Sequence, residues 1–255
     1  MLNWLGLPVE ASAHAPAIDQ IIVIVHWLML TMFVGWSIFL IYVLVRFRRG
    51  AHPRATYEGV SGRWPKVVEA GVLAAEVILL VFFSIPTWSA RVDAFPAERE
   101  STVVRVVAEQ FIWNIHYPGP DRAFGRTTLQ LVSADNPLGL DLTDLAAKDD
   151  LWTQNQMNLP VGRPVIVLLS SKDVIHSFAL PQMRVKQDAI PGVEQRIWFT
   201  PTETGEWEIA CSQLCGLGHY RMRGFYSVQT PADFDAWFAE QVAQFTPAPT
   251  PAPTP

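Results

Sequence analysis

Two stretches of the chain depart from the usual mixing of apolar and polar positions. Residues 21–45 run for 25 positions without Asp, Glu, Lys or Arg, longer than the roughly 20 apolar residues a helix needs to cross a bilayer. The run predicts a membrane-spanning helix, because a core helix of a soluble protein seldom stays apolar on every side for that distance. His26, close to one end, is read as an interfacial or packed imidazole rather than a ligand. A second apolar run, 67–88, carries Glu69 and Glu76, whose spacing of seven puts both on one helical face. Ionisable groups are costly in hydrocarbon, so that face is expected to dock against a partner membrane protein or to line a proton route in it.

The segment between the two runs, 46–66, holds Arg46, Arg48, Arg49, Arg54, Arg63 and Lys66 against one acid, Glu58. Loops rich in Lys and Arg stay on the cytoplasmic side, which leaves both termini outside. Near the start, Ala13-His14-Ala15 has the small residues of a signal-peptidase site but no basic region before it, so a cleaved leader is not favoured.

Beyond the second run the pattern turns polar. Residues 91–245 carry 13 basic and 19 acidic side chains, a net of −6, and show short β-rich runs at 102–107, 165–169, Gln195–Phe199, 207–210 and 225–228. Pro and Gly clusters separate them. This predicts a small antiparallel sandwich or barrel. The stretch 118–160 reads as a long surface excursion with little helix or strand of its own, and 246–255, alternating Pro with Ala and Thr, as an extended tail. The expected organisation is therefore an exported segment 1–20, a transmembrane hairpin 21–90 with its basic loop at 46–66, an exported domain 91–245 and the Pro-rich tail. Half of the 255 residues are hydrophobic and only 17% are charged, which excludes intrinsic disorder and bulk nucleic-acid binding.

Two cysteines are too few for a disulfide scaffold or a four-thiolate zinc site. They lie in the run Cys211-Ser212-Gln213-Leu214-Cys215-Gly216-Leu217-Gly218-His219-Tyr220-Arg221-Met222. Two cysteines in an exported domain often form a disulfide, but a disulfide needs neither His219 nor Met222 beside it. Thiolate, thioether and imidazole together suit copper, which they let change oxidation state with little rearrangement. A further ligand has to come from outside the run, and His14, His116 and His176 are the exported candidates. His176 follows the run at 165–169 at a loop position from which an imidazole reaches the end of a sandwich. Two thiolates exceed the need of a blue-copper centre and can bridge two ions.

With these residues in view, the sequence resembles subunit II of the haem–copper oxygen reductases of the cytochrome c oxidase type. The resemblance runs from about residue 20 to 230 and rests on Asp173-Val174-Ile175-His176, Asp188-Ala189-Ile190-Pro191-Gly192, the aromatic stretch from Gln110 to Tyr117, and the Cys211–Met222 run. It implies an α+β membrane protein: a two-helix transmembrane hairpin followed by an all-β cupredoxin domain, a Greek-key sandwich carrying the binuclear copper centre CuA. The resemblance makes Cys211 and Cys215 the bridging thiolates, His176 and His219 one ligand each, Met222 a weak ligand and the Gln213 carbonyl the last member. It also implies the family role, in which single electrons pass from an external cytochrome c or other carrier to haem in subunit I. Oxygen is reduced there and protons are pumped. Glu69 falls where the family often places a glutamate near a proton path, and Asp188 in a segment directed towards subunit I.

Three departures accompany the resemblance. Gln213 stands where most relatives have a glutamate that helps hold an interface magnesium, and a neutral amide is a poorer ligand for a hard cation. Phe111 replaces a tryptophan usually taken as the point where electrons arrive, while Trp113 keeps a second one. Glu76 replaces a proline, and a contact with a polar group of a neighbouring subunit is the expectation for it. With no Cys-x-x-Cys-His in the chain, covalent haem c is excluded and the donor is a separate protein. The competing readings are a membrane-anchored Sco-type copper chaperone or thiol oxidoreductase, which requires a thioredoxin-like fold with its histidine downstream of the cysteines, the copper-free quinol-oxidase form, and a purely structural subunit.

Overall fold

The computed structural model describes residues 6–54, 57–59 and 62–245; the Pro-rich tail and parts of the basic loop lie outside these. The described residues divide into two compact units, one within residues 16–93 and the other made of residues 7–15 and 94–245.

The first unit contains α1 (Ala15–Arg46) and a second long helix formed by α2 (Arg63–Leu79), a wide π turn at Leu80–Ser84 and α3 (Ile85–Val92). Both long helices have the length and composition to cross a membrane. The wide turn has a local cause. Pro86 has no N–H for the carbonyl of Phe82 and its ring presses on that turn, so the helix widens by one residue where the ladder is interrupted. Glu69 and Glu76 both lie on α2. The first helix starts at Ala15, six residues before the expected start of the span, because Ala15 to Gln20 are helix formers or tolerated in a first turn.

The second unit is a sandwich of two five-stranded sheets. Its strands are β1 (Thr102–Glu109), β2 (Ile112–Tyr117), β3 (Leu151–Gln154), β4 (Gln156–Pro160), β5 (Val165–Ser171), β6 (His176–Leu180), β7 (Val185–Ala189), β8 (Gln195–Phe199), β9 (Gly205–Cys211) and β10 (Arg223–Gln229). One sheet runs β3-β2-β1-β5-β8 and the other β4-β10-β9-β6-β7. The sheets are mixed rather than wholly antiparallel: β1 runs parallel to β5, with Val104 opposite Val167, and β4 parallel to β10. The core between them takes alternate residues from each strand, including Val104 and Val106, Val167 and Leu169, Phe178 and Leu180, and Tyr226 and Val228.

Four further differences from the sequence reading have physical reasons. Within 118–160, β3 and β4 are paired strands, each only four or five residues long and so without a visible period. The rest of that stretch packs through Leu138, Leu140 and Ala147 on Val107 and Trp152, covering the outer face of β2. Strand β2 is thus buried on both faces, Asn114 and His116 included, and shows no alternation. A C-terminal helix, α4 (Pro231–Phe245), closes one edge by placing Trp237 5.6 Å and Phe238 6.3 Å from the Tyr117 ring, centroid to centroid. Finally, residues 7–15 belong to the sandwich. Ser12 bridges to Pro201, the Ala11 N–H donates to the Gln182 carbonyl, the Thr202 N–H to the Ala11 carbonyl and the Ala13 N–H to the Thr200 carbonyl.

Candidate metal centre

The site is built where β9 ends and β6 begins. Cys211 is the last residue of β9 and pairs across the sheet with Phe178, while the Ser212 N–H donates to the Ser177 carbonyl at 2.9 Å. That register brings His176, the first residue of β6 rather than part of a loop, alongside the segment 212–222. The segment then closes on itself: the His219 N–H bonds to the Gly216 carbonyl and the Met222 N–H to the His219 carbonyl. Gly216 sits at φ +133°, a conformation that side-chain-bearing residues avoid.

The result is a cluster of donors. The sulfurs of Cys211 and Cys215 are 3.8 Å apart and unbonded, too far for a disulfide of about 2.05 Å. Nδ1 of His176 lies 3.1 Å from Sδ of Met222 and 4.0 Å from Sγ of Cys211. Nδ1 of His219 is 3.6 Å and Sδ of Met222 3.7 Å from Sγ of Cys215. The main-chain oxygen of Gln213 is 3.3 Å from Sγ of Cys211, and the residue itself is exposed. His176, Cys215 and Met222 are buried.

Charge is distributed unevenly over the two thiols. Burial opposes ionisation of Cys211, but hydrogen bonding to His176 and to the main chain at Ser177 and Gln213 outweighs it and brings the thiol down to about 6. Burial and then the neighbouring Cys211 charge push Cys215 up to about 11. Burial also works against a charged His176, yet Cys211 and Asp173 overcome it and raise that imidazole. Cys211 is therefore the thiol that gives up its proton more readily, and a metal ion held by both sulfurs would displace the proton that Cys215 retains.

The donor set fits copper. Two thiols, two imidazoles, a thioether and a carbonyl converge, and the thioether sulfur beside both Cys215 and His176 is a soft donor that zinc sites of the two-cysteine, two-histidine kind do not use. Of the other sequence candidates, His116 is remote in this respect, held at 2.7 Å by the Asp150 carboxylate on the outer side of β2. Trp113 is fully buried, its ring edge-on to His176 at 6.1 Å and to Phe178 at 5.5 Å. It stands behind the site rather than at a surface a donor protein can touch. Phe111 is half-buried and packs at the rim, where a Cβ added at Gly218 would come within 2.5 Å of its ring. Asp188 pairs with Ser177 in the β6–β7 ladder.

Two contributors had no role in the sequence reading. Asp173 accepts from Nε2 of His176 at 2.9 Å, and Gln110 donates both to Asp173 and to the Cys215 carbonyl. Both residues lie in the motifs that carry the resemblance, and Asp173 is only three positions from His176, but nothing in the 63 and 105 residues that separate Gln110 from Asp173 and Cys215 announces its contacts.

A β-sandwich carrying a cysteine–histidine–methionine cluster at the end of two strands, preceded by two helices of membrane-spanning length, defines a membrane-anchored protein with an extracytoplasmic cupredoxin domain. Residues 102–225 match the family model described as cytochrome c oxidase subunit II, periplasmic domain. The chain is 33% identical over 244 residues to the alternative cytochrome c oxidase subunit 2 of Bradyrhizobium diazoefficiens, covering 93% of this chain and 84% of the relative. It is 29% identical over 270 residues to cytochrome c oxidase subunit 2 of Thermostichus vulcanus, covering 92% and 79%. A crystal structure of the periplasmic domain of cytochrome oxidase subunit II from Bradyrhizobium japonicum matches 60% of this chain and 99% of its own, at 28% identity and a TM-score of 0.44. The chain belongs to the cytochrome c oxidase subunit II family. With a β-sandwich around the cysteines, the thioredoxin-like fold that a Sco-type protein requires is absent from the described residues.

Proposed function

We propose that this chain is the electron-accepting subunit of a terminal oxidase, holding a binuclear copper centre, CuA, between Cys211, Cys215, His176, His219, Met222 and the Gln213 carbonyl. It takes single electrons from an external cytochrome c or other carrier and passes them to haem in subunit I, where oxygen is reduced to water with proton pumping. The complete site for oxygen reduction belongs to that partner. The observation that carries the reading is a pair of free sulfurs 3.8 Å apart with an imidazole nitrogen on either side.

When bound, the copper pair supplies a one-electron acceptor and donor whose charge is spread over two ions. The chain's residues do the rest. Burial of His176, Cys215 and Met222 keeps water from the Cys215 and Met222 sulfurs, Asp173 holds the His176 ring, and the β6–β9 ladder fixes the loop before any ion arrives. Pre-set ligands reduce the rearrangement that each electron demands. Leu214, Leu217 and Tyr220 crown the loop with exposed apolar surface, a face suited to a partner subunit.

The remaining placements follow the same reading. The hairpin anchors the domain in a bacterial cytoplasmic membrane among lipid and the other oxidase subunits, with both termini and the copper domain on the periplasmic side. Glu69 borders a proton path. Phe111 at the rim marks the side where the donor docks, and an interface magnesium is left out because residue 213 is an amide. The test is copper titration of the reduced, detergent-solubilised full chain. Binding saturates at two ions per chain, and Cys215→Ser removes at least one; saturation at one ion in the unmodified chain contradicts the proposal.

A further inference from the structure

Gln110 and Phe111 form the turn between β1 and β2 in one sheet, while the metal loop joins β9 to β10 in the other. The two meet at the end of the sandwich. The Gln110 main-chain N–H donates to Oδ2 of Asp173 at 2.7 Å, and Oδ1 of the same carboxylate accepts from Nε2 of His176 at 2.9 Å. The Gln110 side chain turns the other way, its Nε2 donating to the Cys215 carbonyl at 2.6 Å. One residue thus touches the partner of an imidazole ligand and the main chain of a thiolate ligand.

The approach is close enough to constrain the loop. A Cβ at position 216 would sit 2.7 Å from the Gln110 amide nitrogen, so a side chain there would push that amide off the Cys215 carbonyl. The amide bond also settles which way the 215–216 peptide faces: its carbonyl points at the turn of the opposite sheet. That leaves the Cys215 Sγ directed at Cys211, His219 and Met222.

We propose that Gln110 is a positioning residue for the metal centre, a clamp whose side-chain amide fixes the Cys215 main chain while its own main-chain N–H fixes the carboxylate that orients His176. This rests on the binuclear copper reading above and adds a residue to it that binds no metal. Hydrogen bonds one step removed from a ligand commonly govern affinity and the electronic structure of the metal. Because the main-chain half of the clamp survives substitution, side-chain variants isolate the Cys215 half.

The experiment compares copper-loaded full-length chain in detergent for wild type, Gln110→Met, which keeps the stem and loses the donor, and Gln110→Lys, which restores a donor. The readouts are the rate of copper transfer to a Cu(I) chelator, the EPR hyperfine pattern and the unfolding midpoint of the metal-free chain. Gln110→Met releases copper about five- to tenfold faster, the ratio expected for one lost hydrogen bond, with an altered hyperfine pattern and a metal-free midpoint lowered by no more than that one bond accounts for. Gln110→Lys stays within about twofold of wild type. Gly216→Ala reaches the same contact from the other side and releases copper faster as well. Release and spectra of Gln110→Met indistinguishable from wild type overturn the clamp and leave the copper reading standing; a wild-type chain that binds no copper pair overturns the reading beneath it.

Discussion

Asp173 holds Nε2 of His176 at 2.9 Å from three residues upstream, and this contact leaves Nδ1 as the nitrogen that faces the sulfurs. A carboxylate on the far nitrogen of a ligating imidazole fixes ring orientation and raises its basicity, and loss of such a partner typically weakens metal binding by about 10–100-fold. Asp173→Asn keeps an acceptor oxygen and removes the charge. It is expected to weaken copper affinity by about tenfold, and Asp173→Ala by more, measured by competition with a Cu(I) chelator.

The second prediction concerns residues 7–15. Besides their three main-chain bonds to the sandwich, Ser12 Oγ donates to the Met183 carbonyl at 2.7 Å, and the Arg184 guanidinium reaches the Pro8 carbonyl at 2.8 Å. Ala11 and Ser12 are buried. Processing at Ala13-His14-Ala15 would strip this segment and its contacts, so the expected outcome is that mass spectrometry of the chain taken from membranes finds residues 7–15 present. A fragment beginning at residue 91 lacks this segment. At about 0.5–1.5 kcal/mol for each of the five lost bonds, it unfolds on the order of 2.5–7.5 kcal/mol more readily than the same domain in the full chain.

The third prediction follows from His116. Burial depresses its imidazole, and the bond to Asp150 only partly opposes this. A histidine whose folded value lies below the free one stays neutral in the fold while the unfolded chain takes up a proton. Folding stability is then intact above the free value of about 6.5 and declines as the pH falls below it. Denaturant midpoints of the full chain, followed by tryptophan fluorescence, should fall between pH 7 and pH 5.5, and His116→Phe should flatten that slope. Equal slopes in both proteins would remove His116 as the cause.

A fourth prediction tests the acid within the second helix. Glu76 lies one turn before the π segment, on the same helical stripe as Glu69. If it meets a polar group of a neighbouring subunit, Glu76→Leu reduces the yield of assembled oxidase several-fold, while the isolated chain still inserts. An unchanged yield counts against the contact.

How much of this was legible in the sequence differs from element to element. The apolar runs announced two long helices because lipid demands unbroken hydrophobicity, and the close spacing of Cys211, Cys215, His219 and Met222 announced their cluster because a loop of that length cannot spread them. Strand β2 has no legible period because the excursion covers its outer face and erases the alternation. Strands β3 and β4 are too short to show a period. Helix α4 does have a local signature: Thr230 and Asp233 exchange hydrogen bonds around Pro231, the cap, first-turn acid and leading proline of a helix start. The contact of Gln110 with Cys215 has no linear signature, because it exists only once the two sheets are stacked.

The most direct test of the central claim is the EPR spectrum of the copper-loaded full chain in its half-reduced, mixed-valence state. Two copper ions sharing one unpaired electron across the Cys211 and Cys215 sulfurs give a multi-line hyperfine pattern from two equivalent nuclei, at two coppers per chain. A four-line spectrum of a single copper, or a chain whose two cysteines are joined to each other and bind none, would contradict the account.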